Sequence, residues 1–463
     1  IIQADIYEEV IYYQLIKDSM KKFYKYLKTH PPIIITISFL VLILVGSFLL
    51  SLPISQVEHD IPYLDCLFTA TSAVCVTGLV VVPTFASWTA FGKVVIIILI
   101  QMGGLGVMTF TTLMAIILRK KITLSERMII REQTNSEGLA GMVRLIKYIL
   151  ICTFSIETIG ALLLMVRFIP AYGLMGVPMS FFHAISAFCN AGFDILGPDS
   201  LIPYNHDGYL LFVIGSLVFL SGLGFIVYSD IYNNRFKVKK FHLHTKIVLV
   251  TTFLLIVLSS LSFYYLEGSN PYTIRHYGTS EKISNAVFQA VTLRTAGFAA
   301  IDQSLLKDAS AAIGVINMFI GGSPAGTAGG IKTTTFALLV IVAYSEIKQR
   351  GDIEIFQRRI NSKLVRRAIT IIMLGLAWVA VVTILILTVT NFDFVDVIYE
   401  VTSAFGTVGL SRNLTSRLDE ISKILIMLTM YVGRAGLITV IAALNSNNKK
   451  KLYREAEEGI IIG

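Results

Sequence analysis

The chain alternates long apolar runs with shorter apolar segments, and the same order recurs along its length. Eight runs hold about 18 or more residues with at most one charge, which is enough for a helix that crosses a bilayer. They cover residues 31–57, 94–118, 148–166, 208–229, 247–266, 309–331, 368–392 and 424–448. Inside each consecutive pair lies a shorter apolar segment, which is predicted to enter the membrane and return because it is too short to cross. These segments end in Val76-Thr77-Gly78, Asn190-Ala191-Gly192, Thr295-Ala296-Gly297 and Thr407-Val408-Gly409.

The four glycines that close these segments recur at intervals of roughly 110 residues, which indicates internal repetition. We call Gly78, Gly192, Gly297 and Gly409 the pore-loop glycines. Each repeat has an even number of spans, so all four face the same way and surround an axis along the membrane normal. The sequence therefore predicts an all-α multi-pass membrane protein with four tandem repeats of span, pore helix and span, arranged pseudo-fourfold around one pore. The predicted units are an N-terminal segment 1–30, repeats 31–118, 144–231, 246–345 and 364–448, and a tail 449–463.

Composition and charge agree with a membrane protein. Hydrophobic residues make up 55% of the chain and charged residues 15%, against about 25% charged in a soluble domain. The net charge of +9 would suit a nucleic-acid partner. However, most Lys and Arg residues lie between repeats or near the ends, so the positive-inside rule places both termini in the cytoplasm of a cell-membrane protein. The lipid bilayer is then the expected surrounding, and no nucleic acid is needed.

The first residues give only a weak indication of how the chain begins. Residues 1–16 carry acidic residues and no basic segment, which is not typical of a cleaved signal peptide. Met20 is a candidate native start, which would make residues 1–19 an extension.

A glycine at the end of a pore helix suits a site for a monovalent cation. Backbone carbonyls can replace the lost hydration shell without a formal charge that would hold the ion too firmly. Glycine permits the positive φ angles that aim such carbonyls inward, and the carboxyl end of the helix adds a partial negative charge. One such glycine is also an ordinary helix C-cap. Four in register favour the ion site.

The second span of the third repeat contains a glycine-rich segment. Its five glycines and one proline cost a continuous helix about 8 kcal/mol relative to alanine, so we expect this helix, alone among the spans, to break. An ATP-type phosphate loop is excluded because Ile331 separates Gly330 from Lys332. The segment consists of Gly321, Gly322, Ser323, Pro324, Ala325, Gly326, Thr327, Ala328, Gly329 and Gly330.

Several motifs together resemble the Ktr/Trk/HKT superfamily of potassium transporters. Besides the four pore loops they are Gln101-Met102-Gly103-Gly104-Leu105-Gly106 and Phe182-His183-Ala184-Ile185-Ser186-Ala187-Phe188. The resemblance runs from about Lys21 to the end and is greatest to the bacterial KtrB-type membrane subunits. It implies a K⁺ filter with one ion path at the four pore-loop glycines, lined by Val76, Thr77, Gly78, Asn190, Ala191, Gly192, Thr295, Ala296, Gly297, Thr407, Val408 and Gly409.

The resemblance also bears on selectivity. Sodium-preferring plant relatives have serine at the position of Gly78, so glycine there favours potassium. The Thr-Val-Gly-Tyr-Gly filter of tetrameric potassium channels is absent, which leaves strict discrimination against sodium open.

The same resemblance implies a gate and partners. The glycine-rich segment, together with Lys332 and Arg434, would form an intramembrane gate, with a static kink as the alternative. Arg434 lies near the middle of the last span, where a charge indicates function by default. It is expected either in the pore or paired with Glu157 or Glu400. Implied partners are a second copy of the chain and a cytosolic ring of nucleotide-binding, RCK-type subunits. No cofactor is implied, and Na⁺ is a candidate activator.

Two other functions compete with a potassium channel or channel-like transporter. A sodium-coupled or sodium-permeable transporter with alternating access remains the alternative, although such proteins usually combine inverted repeats with paired broken helices. A membrane enzyme using Ser221 and His183 is disfavoured, because no paired carboxylates or metal-ligand spacing accompany them.

Overall fold

The computed structural model describes residues 31–106, 142–349, 351–437 and 439. The predicted segment 1–30, the end of the first repeat at 107–118, the end of the fourth at 440–448 and the tail 449–463 lie outside the described residues. Within them, each repeat contains a long first-span helix, a short pore helix and a second-span helix. The first-span helices are Pro31–Ser51, Met142–Tyr172, Leu243–Glu267 and Ser362–Val389, and the pore helices are Tyr63–Cys75, Gly176–Cys189, Thr279–Thr292 and Phe394–Gly406.

The second-span helices are shorter. They are Ala90–Leu105 in the first repeat, Gly208–Leu223 with Phe225–Asn233 in the second, Asp308–Phe319 with Thr333–Ile347 in the third, and Glu420–Ala435 in the fourth. A four-residue helix, Thr84–Ser87, precedes the first of them. An antiparallel hairpin of two two-residue strands, Glu354–Ile355 and Arg358–Arg359, lies between the third and fourth repeats.

Long apolar helices embed the protein in a membrane. By length and composition, four helices among the described residues could cross one: Ile33–Ser51, Ile146–Cys189, Leu243–Glu267 and Ser362–Val389. The pair Gly208–Leu223 and Phe225–Asn233 would make a fifth if it is counted as one bent span. Large apolar side chains such as Phe48 and Phe253 are exposed on the first-span helices. In water such a surface would be unfavourable, whereas lipid tails cover it without cost.

The prediction that only the second span of the third repeat breaks is wrong, because the second span of the second repeat is interrupted as well. In the first, second and fourth repeats a second-span helix stops at a glycine, and we call this point the helix break. The helices end at Gly106, Gly224 and Gly436, with φ angles of 84°, 85° and 83°. Such angles cannot continue a right-handed helix, and glycine adopts them without a steric penalty. At Gly224 the two helical halves meet at 84°. In the third repeat the glycine-rich segment separates the halves, as predicted, and Ala325 has a φ of 57°.

Polar caps fix where second-span helices begin. The Thr89 hydroxyl accepts the Gly92 N–H at 3.3 Å. The Asp207 carboxylate accepts the N–H groups of Tyr209 and Leu210 at 3.1 and 3.2 Å. Both residues satisfy donors that the first turn of a helix leaves free. These caps fix where the second-span helices of the first and second repeats start.

Glycines let the second-span helices approach the pore helices closely. A β-carbon on Gly103 would overlap the carbonyl oxygen of Val74, and one on Gly433 would overlap that of Phe405. Val74 and Phe405 each lie four residues before a pore-loop glycine, and Gly103 and Gly433 each lie three residues before a helix break. The first and fourth repeats therefore use the same contact to hold a pore helix against its second-span helix.

Replacing Gly103 by alanine should destabilise this contact. The overlap is with backbone, which cannot swing aside, so we expect a net loss of about 1–3 kcal/mol, less any gain in helix propensity. The measurement is the thermal unfolding midpoint of the detergent-purified protein. Gly222→Ala is the matched control, because no atom lies within 4 Å of a β-carbon at Gly222. A midpoint for Gly103→Ala at or above that of the control would contradict the packing described.

Candidate functional site

The four pore loops share one backbone conformation. Two residues before each pore-loop glycine, a residue adopts a left-handed conformation: Val76, Asn190, Thr295 and Thr407 have φ angles of 57°, 60°, 75° and 51°. The glycines themselves have φ angles of 89°, 68°, 85° and 96° in chain order. Positive φ at a non-glycine residue is uncommon, and here it recurs in all four repeats. The internal repetition of the sequence is therefore matched by repetition of a strained backbone.

The pore-loop glycines form a closed ring. A β-carbon on Gly78 would overlap the Ala191 carbonyl oxygen of the second repeat, and one on Gly409 would overlap the Thr77 carbonyl oxygen of the first. Likewise, a β-carbon on Gly192 would lie 2.7 Å from the carbonyl oxygen of Ala296. The ring closes between the third and fourth repeats, where a β-carbon on Gly297 would overlap the carbonyl oxygen of Val408. The repeats therefore follow one another in chain order around a common centre, and a backbone carbonyl of each loop lies against the glycine of the loop before it.

Hydroxyl groups of the pore helices hold the loops in shape. The Gly78 N–H donates to Ser72 Oγ at 3.0 Å, and the Gly409 N–H donates to Ser403 Oγ at the same distance. In the second repeat Ser186 Oγ donates to the carbonyl oxygen of Phe193 at 2.6 Å. The third repeat has valine at this position, and the neighbouring Thr292 donates to the Phe298 carbonyl at 2.8 Å instead. The sequence analysis did not identify these hydroxyl groups as hydrogen-bonding partners of the loops.

The glycine-rich segment forms a loop whose two ends meet. The Gly321 N–H donates to the Ile331 carbonyl at 2.8 Å, and the Thr333 N–H donates to the Gly322 carbonyl at 3.0 Å. These bonds replace the helical bonds that the segment cannot form. Lys332 Nζ donates to the Ala328 carbonyl at 2.6 Å, so this lysine stabilises the loop that precedes it.

The loop packs against the second and fourth repeats. The Ser323 N–H donates to the Gly222 carbonyl at 3.0 Å, and Thr327 Oγ1 donates to the Phe188 carbonyl at 3.3 Å. A β-carbon on Gly329 would overlap the side chain of Thr407. Since Thr407 directly follows its pore helix, the loop lies against the end of the glycine ring where the pore helices finish.

Arg434 links this loop to the first repeat. Its guanidinium donates to the carbonyls of Thr327 and Gly103, and to that of Gly104 at 3.0 Å. Gly103 and Gly104 lie in the last turn of a helix, where unsatisfied carbonyls carry partial negative charge. Three repeats thus meet at one side chain.

The pairing of Arg434 with Glu157 or Glu400, the alternative to a place in the pore, is not formed. Glu157 accepts hydrogen bonds from Gln101 Nε2 at 3.0 and 3.3 Å, and Glu400 accepts them from hydroxyl groups. Measured from the helix breaks, Arg434 occupies the position of Gly104 and Gly222, two residues before the break. The first and second repeats have glycine at this position. In the fourth repeat the long arginine side chain reaches from it into the space between repeats.

Arg294 is a buried cation that sequence reasoning overlooked. Its Nη2 donates to the hydroxyls of Thr252 and Thr333 at 3.3 and 3.2 Å, and Thr333 Oγ1 in turn donates to the Gly321 carbonyl at 2.9 Å. Arg294 directly precedes Thr295 of the third pore loop, so it connects that loop to the base of the glycine-rich segment. An arginine within a short apolar segment was the signal that could have revealed it.

Comparison with known proteins supports one family. A family model described as TrkH, cation transport protein, matches residues 11–451. The chain is 40% identical over 439 residues to the Ktr system potassium uptake protein B of Bacillus subtilis, covering 94% of this chain and 98% of that protein. It is also 40% identical over 442 residues to the potassium/sodium uptake protein NtpJ of Enterococcus hirae, covering 94% and 97% respectively.

A solved structure supports the fold. The crystal structure of the potassium transporter TrkH from Vibrio parahaemolyticus aligns with a TM-score of 0.71 at 17% identity, covering 89% of this chain and 85% of that chain. The length of the family match and the identity to both relatives are decisive, and the chain belongs to the TrkH family of cation transport proteins.

Proposed function

We propose that this chain takes up potassium through the ring of its four pore-loop glycines, gated by the glycine-rich segment. The observation that carries the proposal is the meeting of four equivalent backbone loops at one centre. Both relatives named above are potassium uptake proteins by name. Membership of a family of cation transport proteins sets the membrane-enzyme interpretation aside.

The ion path would be formed by the backbone carbonyls of the twelve loop residues named above. Their dipoles replace the hydration shell of a potassium ion, while the absence of a formal charge lets the ion leave again. Four pore helices end at the ring, and each adds the partial negative charge of its carboxyl end. K⁺ is thus the transported ion and would lie at Gly78, Gly192, Gly297 and Gly409.

The glycine-rich segment would close the path by lying against the ring at the pore-helix ends. Arg434 stabilises this closed arrangement because its three hydrogen bonds join the loop to the first repeat. Its charge also repels cations nearby, so the same side chain opposes ion passage in two ways. Opening requires the loop to leave these carbonyls, and the glycines give it the freedom to do so.

The electrochemical gradient is sufficient to drive uptake. At 100 mV a monovalent cation gains about 2.3 kcal/mol, which corresponds to roughly fiftyfold accumulation. Nucleotide hydrolysis by this chain is therefore not required.

A sodium-coupled or sodium-permeable alternating-access transporter is the second candidate. The name of the Enterococcus relative includes sodium. In addition, the second spans of both the second and the third repeat are interrupted, which removes the argument that a single broken helix gave against alternating access. The parallel order of the repeats still favours one continuous path, with Na⁺ as a candidate activator.

The assembly we propose is a homodimer with one pore per chain, in the cell membrane and with both termini cytoplasmic. Control would come from a cytosolic ring of nucleotide-binding, RCK-type subunits. In support, the Bacillus relative is named as protein B of a Ktr system. The repeat boundaries given above are part of the same proposal.

Replacing Gly78 by serine tests the ion path. The residue has a φ of 89°, and a side chain would push against the Ala191 carbonyl, so the ring must rearrange. We expect the ratio of rubidium to sodium uptake by reconstituted liposomes to fall by roughly tenfold, which corresponds to about 1.4 kcal/mol of lost discrimination. Gly197→Ser is the control, since Gly197 has open space around it. An unchanged ratio in folded Gly78→Ser protein would refute the assignment of the filter.

Replacing Arg434 by alanine tests the gate. The loop loses its bond from Arg434 to Thr327, so we expect rubidium flux to rise by roughly tenfold, as loss of a charge-assisted hydrogen bond would allow. Amide hydrogen exchange across residues 320–332 should rise in parallel. Arg167→Ala serves as control, because Arg167 is exposed and pairs with Asp207. Equal flux and equal exchange in the folded variant and the wild type would count against a gating role.

A further inference from the structure

Buried polar side chains stand nine residues before two of the pore-loop glycines. In the second repeat this residue is His183 and in the fourth it is Glu400. Both side chains are fully buried, at 0% exposure, and their hydrogen bonds go to parts of the chain other than the glycine-rich segment and Arg434. Burying a carboxyl group or an imidazole is costly unless hydrogen bonds compensate. Each of the two therefore calls for a structural explanation that the gate and the glycine ring do not supply.

Glu400 holds the chain that leaves the fourth pore loop. One carboxylate oxygen accepts a hydrogen bond from Ser411 Oγ at 2.6 Å, and the other accepts one from Thr415 Oγ1. Ser411 Oγ also accepts the N–H groups of Leu414 and Thr415 at 3.1 and 3.3 Å. With both lone pairs used, the Ser411 hydroxyl has only its proton left, and that proton goes to Glu400.

A second contact attaches the same stretch of chain. Arg412 Nε donates to Asp396 Oδ1 at 2.7 Å, and Asp396 lies one turn before Glu400 on the pore helix. We define residues 410–415 as the outgoing limb. Two carboxylates on one face of the pore helix therefore form hydrogen bonds with this limb. Leu410, the first residue of the limb, directly follows the pore-loop glycine Gly409.

His183 makes the corresponding contact in the second repeat. Its Nδ1 lies 2.7 Å from the Met179 carbonyl oxygen, which can only accept, so Nδ1 carries the proton. Nε2 is then free to accept the Ile195 N–H at 3.4 Å. Ile195 lies three residues beyond Gly192, on the limb that leaves the second pore loop.

The other two repeats lack this contact at the same position. In the first repeat Thr69 donates its hydroxyl to the Asp65 carbonyl of its own helix at 2.8 Å, and in the third the position is Phe288. Because Gly78 neighbours both Gly192 and Gly409, the second and fourth repeats lie opposite each other. The two anchored limbs therefore face each other across the ring.

We propose that Glu400 and His183 are positioning residues that set ion discrimination by anchoring the limbs that leave two opposite pore loops. The proposal rests on the proposed function of the ring as the ion path. Sodium is smaller than potassium and requires its oxygen ligands to come closer. Discrimination against sodium therefore falls when the carbonyls are free to move inward. An anchored limb restricts that movement, although neither side chain touches the ion.

The test uses the full-length chain in liposomes and compares rubidium with sodium uptake. Glu400→Leu removes both acceptors at similar volume, and we expect the rubidium-to-sodium ratio to fall by about fivefold, as loss of a hydrogen-bonded anchor permits. Glu400→Gln should restore the ratio to within about twofold, because its oxygen can accept from Ser411 while its amide donates to Thr415. A role limited to folding would change the amount of active protein but not this ratio.

Variants of the limb keep the test decisive if Glu400→Leu folds poorly. Thr415→Val and Ser411→Ala remove the donors, and each should lower the ratio in the same direction as Glu400→Leu. Combining Glu400→Leu with Thr415→Val should add little to the larger single effect, since residues that act through one contact are not additive. Fully additive effects would overturn the proposed anchor.

Two further variants distinguish a failure of the proposed anchor from a failure of the proposed ion path. Thr69→Val, at the equivalent position of the first repeat, should leave the ratio unchanged because its hydroxyl bonds within its own helix. Gly78→Ser reports on the ring itself. A lowered ratio for Gly78→Ser with unchanged ratios for every Glu400, Ser411 and Thr415 variant would overturn the anchor while leaving the ion path intact. Unchanged ratios throughout would overturn both.

Discussion

Backbone polar groups buried at membrane depth must find partners within the protein, and this requirement organises the whole molecule. A helix satisfies its own backbone, but the four pore loops and the interrupted second spans leave carbonyls and N–H groups without helical partners at membrane depth. The structure supplies partners locally. Ser72 and Ser403 accept the N–H groups of pore-loop glycines, and Arg434 takes up three carbonyls at once. The same groups that satisfy the backbone also fix the geometry of the ring.

The repeats share a framework and differ in what is added to it. All four carry the left-handed residue and the glycine of the pore loop. The third alone carries the glycine-rich segment, and the fourth alone places an arginine two residues before its helix break. Loop and arginine meet between these two neighbouring repeats, so the contact depends on two repeats that differ from the others in complementary ways.

Much of the fold could be predicted from the sequence because its signals are local. Runs of apolar residues define the spans, and glycines in register define the pore loops. The breaks at Gly106, Gly224 and Gly436 were missed, since one glycine costs a helix only about 1 kcal/mol and is often tolerated. The partners of Arg434 and Glu400 could not be predicted, for another reason. Opposite charge offered an ion pair as an alternative, but which groups meet depends on packing between residues more than a hundred positions apart, such as Arg434 and Thr327.

Joining four quadrants in one polypeptide has a consequence for electrostatics. A channel built from four identical subunits must place any residue near its axis four times, so an arginine there would bring a charge of four units and exclude cations altogether. In the gate that we propose, the covalent tandem contributes the one guanidinium of Arg434, whose repulsion would be overcome when the loop moves. On that proposal, the break in symmetry at Arg434 would make a cation barrier of adjustable height, which a strictly symmetric assembly has no means to build.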